Sequence, residues 1–330
     1  MINDFGSIKK EWLQLLNLAA ENNVFLTPQF QEVWWHHFGE KEGNASCQIL
    51  PIYNANQELI GLAPFWLQGQ EWRLFGDHKV SDYLDLVIKQ NCEDDFFAKF
   101  AAQFADENQK WQVLSLISIS EKSPTYLLLP EIAKKQGWQI ETKQQEVCPV
   151  LALPKTWEEY LKLVGKKQRH EIQRKWKNAA EKLEMNFVCI EKIMNAEQIE
   201  NDTNDFIRLH QLSSENKAAF WDADLITFFK DLVKVAAEND WLKLFFLEVG
   251  GERVAATLCF DYNNVFYLYN SGYDPSRFAN LSVGNVLTSH TIQKAIELGR
   301  SRYDFLRGEE EYKFRYGAVA EPIFDLTITR

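Results

Sequence analysis

The fold is decided by the stretch Val265-Phe266-Tyr267-Leu268-Tyr269-Asn270-Ser271-Gly272-Tyr273-Asp274-Pro275, with Ser282-Val283-Gly284-Asn285, Arg302-Tyr303-Asp304-Phe305-Leu306 and Gly308-Glu309-Glu310-Glu311-Tyr312-Lys313. The first part reads as a strand that ends at a Gly and a Pro turn. Ile292, Ala295, Ile296 and Gly299 then recur at helical spacing, with Ser282 placed to cap the helix and Gly299 to end it. Residues 302–306 read as a further strand. A strand feeding a helix start aims unpaired N–H groups at one spot, and the helix dipole makes that spot attract phosphate. Gly284 would let a ligand approach the backbone closely. The equally simple alternative is an ordinary capped helix.

Working outward, the chain repeats itself. Gln48 to Tyr53, a turn at Asn54 to Gln57, and Glu58 to Phe65 form a strand pair. Leu244 to Val249, the turn Gly250-Gly251, and Glu252 to Leu258 form another. A helical segment from Cys92 to Glu107 leads to the strand 111–117, much as the helix from Gly284 to Gly299 leads to 302–306. Glu58 and Glu252 differ by 194 positions, Trp111 and Arg302 by 191, which indicates a duplicated α+β unit. Residues 151–240 read as a helical insert, with Thr156 and Glu159 as a capping box and helices near 204–214 and 224–237. The expected domains are thus 1–150, 151–240 and 241–330.

At 330 residues and 46% hydrophobic, the chain has enough material for two cores. A net charge of −11 argues against a general affinity for nucleic acid. No apolar run is long enough to span a bilayer, and the N-terminus lacks the basic start and apolar core of a signal peptide. Cys47, Cys92, Cys148, Cys189 and Cys259 are scattered and odd in number, as expected of free, buried thiols in a reducing cytoplasm. Neither the cysteines nor the six histidines have the spacing of a metal site. One segment departs from the acidic average: residues 166–177 hold six Lys or Arg in twelve positions, Arg169 and Arg174 among them. It reads either as an anion-binding face or as a solvated helix face with Glu171 and Lys175 paired.

Gly272-Tyr273-Asp274-Pro275 followed by Tyr303-Asp304-Phe305-Leu306-Arg307-Gly308 and Tyr312-Lys313 resembles the GNAT acyltransferase superfamily, in particular its CelD-like branch, related to the Fem-type transferases that use aminoacyl-tRNA. The resemblance runs from about Leu26 onward. It implies α+β architecture: two tandem lobes, each a mixed, mostly antiparallel sheet flanked by helices. It further implies acyl transfer from acetyl-CoA or another acyl-CoA to an amine by direct attack, without a metal. The acceptor would be a small molecule or a component of a polysaccharide pathway. The pyrophosphate loop departs from the superfamily pattern, leaving only Ser282, Val283, Gly284 and Asn285. Two alternatives therefore stand: an aminoacyl-tRNA-dependent transferase, and a non-catalytic binding or scaffold protein of the same fold.

The resemblance also places Lys313, and with it Tyr312 and Gly308, at the transfer centre, and an Arg-rich helix at 166–177. Lys313 reads either as a groove-lining donor to a phosphate or oxyanion, contributing little to stability, or as a surface lysine paired with Glu309 or Glu310. Asp304 reads either as a proton acceptor for the amine or as an ion-pair partner of Arg302 or Arg307. Tyr273 and Asp274 are the substrate-side candidates, although an Asp before Pro suits a turn for conformational reasons alone. Asp77, His78, Asp82 and Asp85, which cluster after the first strand pair, are further substrate-contact candidates.

Overall fold

The computed structural model describes residues 1–106, 110–192 and 195–330. Its chain divides into two compact units, residues 1–147 with 321–330, and residues 148–320. The helical segment 151–240 accordingly lies within the second unit, and the last ten residues lie with the first.

The first unit opens with helices α1 (Lys9–Leu16) and α2 (Pro28–His37), then strands β1 (Ala45–Tyr53), β2 (Leu59–Gln68), β3 (Glu71–Leu74) and β4 (Val87–Ile88). Helix α3 (Glu93–Ala105), strand β5 (Val113–Ser120), helix α4 (Pro124–Lys135) and strand β6 (Gln139–Ala152) follow. Three acidic residues in the first turn of α3 suit the positive end of its dipole. Phe96, Phe100 and Phe104 recur every four residues, so one face carries the rings into the core, where all three are fully buried beside Phe65. Each such ring contributes roughly 1.5–3 kcal/mol by leaving water. The expected helix ended at Glu107, which lies outside the described residues.

The second unit contains α5 (Trp157–Leu163), α6 (Lys166–Lys182), β7 (Met185–Ile190), α7 (Ala196–Leu212), α8 (Glu215–Ala219) and α9 (Ala223–Glu238). The strands β8 (Leu242–Val249), β9 (Glu252–Tyr262) and β10 (Val265–Tyr273) come next. After them run α10 (Pro275–Phe278), α11 (Val283–Glu297), β11 (Arg302–Asp304) and α12 (Glu311–Arg315). The Thr156–Glu159 capping box forms. The turns Gly250-Gly251 and Asn263-Asn264 have positive φ at both positions, the conformation that tight antiparallel hairpins require. Gly299, at φ +71°, lies two residues beyond the last residue of α11.

The strands of the two units share one plan. β1, β2 and β3 form an antiparallel meander, and after α3 strand β5 pairs parallel to β3. β8, β9 and β10 form the same meander, and after α11 strand β11 pairs parallel to β10. Arg73 lies opposite Ser115 and Tyr267 opposite Asp304, so the matching positions are offset by 194 residues (73 to 267) and 189 residues (115 to 304). This is the repeat expected from the sequence. The strand that completes each set comes from elsewhere in the chain: the final strand β12 (Val319–Thr329) pairs antiparallel to β5, and the end of β6 pairs antiparallel to β11.

Three local expectations are corrected. The strand read over 302–306 stops at Asp304, because Leu306 takes φ +56°, which extended structure cannot accommodate. Ser282 does not cap α11: it adopts the left-handed conformation (φ +54°) and its side chain makes no capping hydrogen bond, only its carbonyl accepting from Val286. The cysteines are free, but not all are buried, since Cys189 is exposed and Cys92 half-buried.

Candidate active site

A cleft of about 720 Å³ in the second unit lies where α6, the first turn of α11 and α12 meet. Helix α6 packs through Ile172 and Ala179, which are buried, and so presents Lys167, Arg174 and Lys175 to the cleft. Asn285 lies at its base, and Glu311, Tyr312, Arg315 and Tyr316 form the opposite wall. Four of these side chains are cationic and two, Glu171 and Glu311, are anionic. Arg174 holds Glu171 through two hydrogen bonds of 2.8 Å, which draw that carboxyl down to about 2, and Arg315 holds Glu311 at 2.7 Å. Four cations against two carboxylates leave the cleft a net excess of two positive charges, with Lys175 also 3.6 Å from Glu171, in a chain that is acidic overall.

Tyrosines fix the geometry of the wall. The Tyr316 hydroxyl donates to the Asn285 carbonyl at 3.0 Å, and the Tyr160 hydroxyl donates to the Tyr316 carbonyl at 3.0 Å. Tyr316 is buried, which pushes its phenol up to about 12. The Tyr312 phenol is pushed up as well, first by burial and then by the charge of Glu310. Both stay protonated at neutral pH and serve as donors, not as bases.

Lys313 makes the pairing with Glu310 that one sequence reading expected, but it is buried and not on the surface. Only 3% of it is exposed, and its ammonium reaches back to donate to the carbonyls of Leu306 (3.1 Å), Arg307 (2.7 Å) and Gly308 (3.2 Å) while pairing with Glu310 at 2.9 Å. Asp304 works on the same loop: buried, it accepts the Leu306 N–H at 2.8 Å. The two side chains clamp residues 304–308 into a bend with positive φ at Leu306 and Gly308. The expectation that Lys313 contributes little to stability therefore fails, because removing it leaves three inward carbonyls without their donor.

Of the other expected residues, Arg174, Asn285 and Tyr312 line the cleft together. Arg169 lies on the same helix, half-buried and outside that wall. Val283 is fully buried in the core. A Cβ on Gly284 would stand 3.2 Å from the ring of Tyr273, so that ring takes up the space the glycine leaves. Asp274 accepts the N–H and hydroxyl of Ser276 (2.9 and 2.6 Å), which hold its carboxyl below the usual range and tie it to the turn before α10.

The sequence did not reveal a polar group beside β10. The Trp221 indole donates to Nδ1 of His210 at 3.0 Å, which leaves Nε2 protonated to donate to Asn270 at 3.0 Å. Burial, then the charge of Lys217, pulls His210 down to about 3, so it is neutral. Lys217 is itself largely buried and donates to the Ser271 carbonyl. Asn270, a polar residue inside an apolar strand, was the one available signal.

Among the described residues no helix is long and apolar enough to cross a membrane, and no group of three His, Cys, Asp or Glu side chains is placed to hold a metal ion. No curated protein matches the chain in sequence. Solved structures of similar fold include FemX (10% identity, TM-score 0.67, 96% of this chain and 95% of that one). Another is L-PGS from Bacillus licheniformis (10%, 0.61, 97% and 91%). A third is a tandem GNAT protein from the clavulanic acid biosynthesis pathway (10%, 0.51, 99% and 96%). At such identities the likeness is one of fold, here two tandem GNAT-like units. Residues 166–314, the segment that carries most of the cleft, match the family described as the acetyltransferase (GNAT) domain.

Proposed function

We propose that the second unit is an N-acyltransferase that takes an acyl group from acetyl-CoA or a longer acyl-CoA. One observation carries this reading: a cleft with excess positive charge opens at the first turn of α11, inside the segment that matches an acetyltransferase domain. Lys167, Lys175 and the dipole of α11 attract the donor's phosphates. The acceptor's neutral amine nitrogen attacks the thioester carbonyl carbon to form a tetrahedral oxyanion; the C–S bond then breaks, and the proton lost by the nitrogen balances the one that the departing thiolate takes up. The protonated phenol of Tyr312 is the donor available in the cleft to the oxyanion or the departing sulfur. Asp304 and Lys313 are positioning residues, acting through the 304–308 bend. Tyr273 and Asp274 shape the approach to α11 on the acceptor side. The acceptor is a small molecule or a polysaccharide-pathway component, as in the CelD-like branch, and the setting is the reducing cytoplasm that free thiols suit.

Native mass spectrometry and calorimetry with acetyl-CoA test the reading. Binding is expected to weaken as salt rises, and to weaken further when Lys167 and Lys175 are both changed to Ala. Intact affinity in the double variant would overturn it. A second reading is favoured by the fold shared with FemX over nearly the whole chain. On that reading the donor is an aminoacyl-tRNA, bound with a steeper salt dependence from many phosphate contacts. If neither donor binds, the scaffold reading takes over.

A further inference from the structure

The first unit carries a cleft of its own, about 460 Å³, where β3 and β5 part after their short parallel pairing. We infer that this cleft is a binding site for a protonated amine carried on an apolar body. Its floor is aromatic: Trp34 from α2 and Trp66 from β2, with ring centroids 5.9 Å apart. Both indole N–H groups are already used, by Asp77 (2.8 Å) and by the Leu74 carbonyl (3.0 Å), so the floor offers a ligand apolar contact and no donor. The volume falls in the range of small-molecule sites.

The rim selects a cation. Arg73 lies over the Trp66 ring at 5.3 Å and is neutralised by Glu71 at 2.7 Å, and His78 is paired with Asp325 at 3.2 Å. Two carboxylates remain. Asp77 accepts three hydrogen bonds, from Trp34 Nε1, Lys79 N (2.7 Å) and Val80 N (3.0 Å), all neutral donors that leave its charge in place. Glu42 accepts from the neutral amide of Gln68 at 3.3 Å. Two uncancelled negative charges over an aromatic floor favour an ammonium, through charge-assisted hydrogen bonds and ring quadrupoles, and disfavour an anion. The site differs in sign from the cleft of the second unit, and its existence does not depend on the acyl donor bound there.

The ammonium can belong to a free amine or to the side chain of a peptide lysine. Calorimetry on the full chain would use n-hexylamine, Nα-acetyl-lysine methylamide and 1-hexanol, with the indole N–H signals of Trp34 and Trp66 followed by NMR. At least one of the two ammonium probes is expected to bind and shift both indole signals, the tighter one telling the source, while hexanol binds at least tenfold more weakly. Glu42→Gln, on the exposed rim and away from the core, is expected to weaken the amine about tenfold, and 0.5 M NaCl to weaken it further. Equal binding of the alcohol, indifference to Glu42→Gln, or no binding of either ammonium probe with unmoved indole signals would each overturn the assignment.

Discussion

Each unit carries a left-handed residue in, or just past, the strand that follows its meander and helix, and the two units secure it by different means. In the first, β5 kinks at Ser118 (φ +57°), whose N–H donates to Asp325 at 3.0 Å, a carboxylate from the far end of the chain. In the second, the kink falls at Leu306 (φ +56°), and its N–H donates to Asp304, two residues away, with Lys313 gathering the carbonyls beyond. A left-handed residue in a strand costs free energy that surrounding contacts must offset. The first unit does so with a distant strand, the second with a self-contained loop. One topology thus tolerates different local chemistry.

That comparison can be broken most severely at two glycines. A Cβ on Gly272 would fall 2.4 Å from backbone atoms of His210, so α7 would have to move; a Cβ on Gly61 would fall 2.1 Å from the Phe96 ring, which has its own side-chain freedom. Gly272→Ala is expected to cost about 4 kcal/mol or more, and Gly61→Ala less, since overpacking typically costs about 1–3 kcal/mol. Chemical denaturation ranks them, and the reverse order would mean that α7 is loosely held.

Lys313→Met comes next, at about 3–4 kcal/mol, because a buried charged donor to three carbonyls is lost. Its counterpart in the first unit, Asp325→Asn, keeps an acceptor oxygen and should cost about 1 kcal/mol. If Lys313→Met unfolds no more readily than the parent while transfer is lost, Lys313 touches the reacting atoms and is not a positioning residue.

The units should also respond to acid in opposite directions. His210 is held near 3 by burial, below its ordinary value of about 6.5. Between those values the unfolded chain binds the extra proton, so the second unit loses roughly 1.4 kcal/mol per pH unit as the pH falls below about 6.5. Asp85, fully buried, is raised to about 7, chiefly by burial. There the folded state holds the extra proton, so its contribution is complete below about pH 4 and is lost as the pH rises to about 7. Amide exchange resolved by unit, from pH 4 to 6.5, should show protection rising with pH in the second unit and falling in the first. Asp85→Asn should flatten only the latter trend.

The smallest effect is expected at Arg174. It is exposed and paired with its helical neighbour Glu171, so Arg174→Ala should leave stability almost unchanged while reducing acetyl-CoA affinity a few-fold. A large stability loss would show that the pair anchors α6.

Much of this was legible in the sequence, and for a physical reason. Hairpin turns, capping boxes and apolar stripes are local, so Gly250-Gly251, Thr156 with Glu159, and the stripe of α11 announced themselves, and their spacing exposed the repeat. The exchange of completing strands was not legible, because β5 pairs with either end of the chain equally well on alternation alone. Lys313 was recognised as special but misplaced, since whether an ammonium points outward or folds back depends on the sign of φ at Leu306, which Leu rarely advertises. The site formed by Arg174, Asn285 and Tyr312 joins three helices; each of the three residues stood out in the sequence, but that α6, α11 and α12 meet there did not.

The strand β12 has a kinetic consequence. It pairs Ile323 with Ser120 and Thr329 with Val113, contacts that span 203 and 216 residues of chain (120 to 323, 113 to 329). Closing so long a loop is slow, since its entropy is lost before any pairing forms. During synthesis residues 1–147 emerge first and the whole second unit follows, so until residues 321–330 arrive β5 offers Leu114, Leu116 and Ile119 on an open edge. Such an edge invites pairing with another chain. Nascent chains of this protein should therefore be most prone to aggregate in the interval before their final strand arrives, and chains cut short before residue 321 should stay in that state.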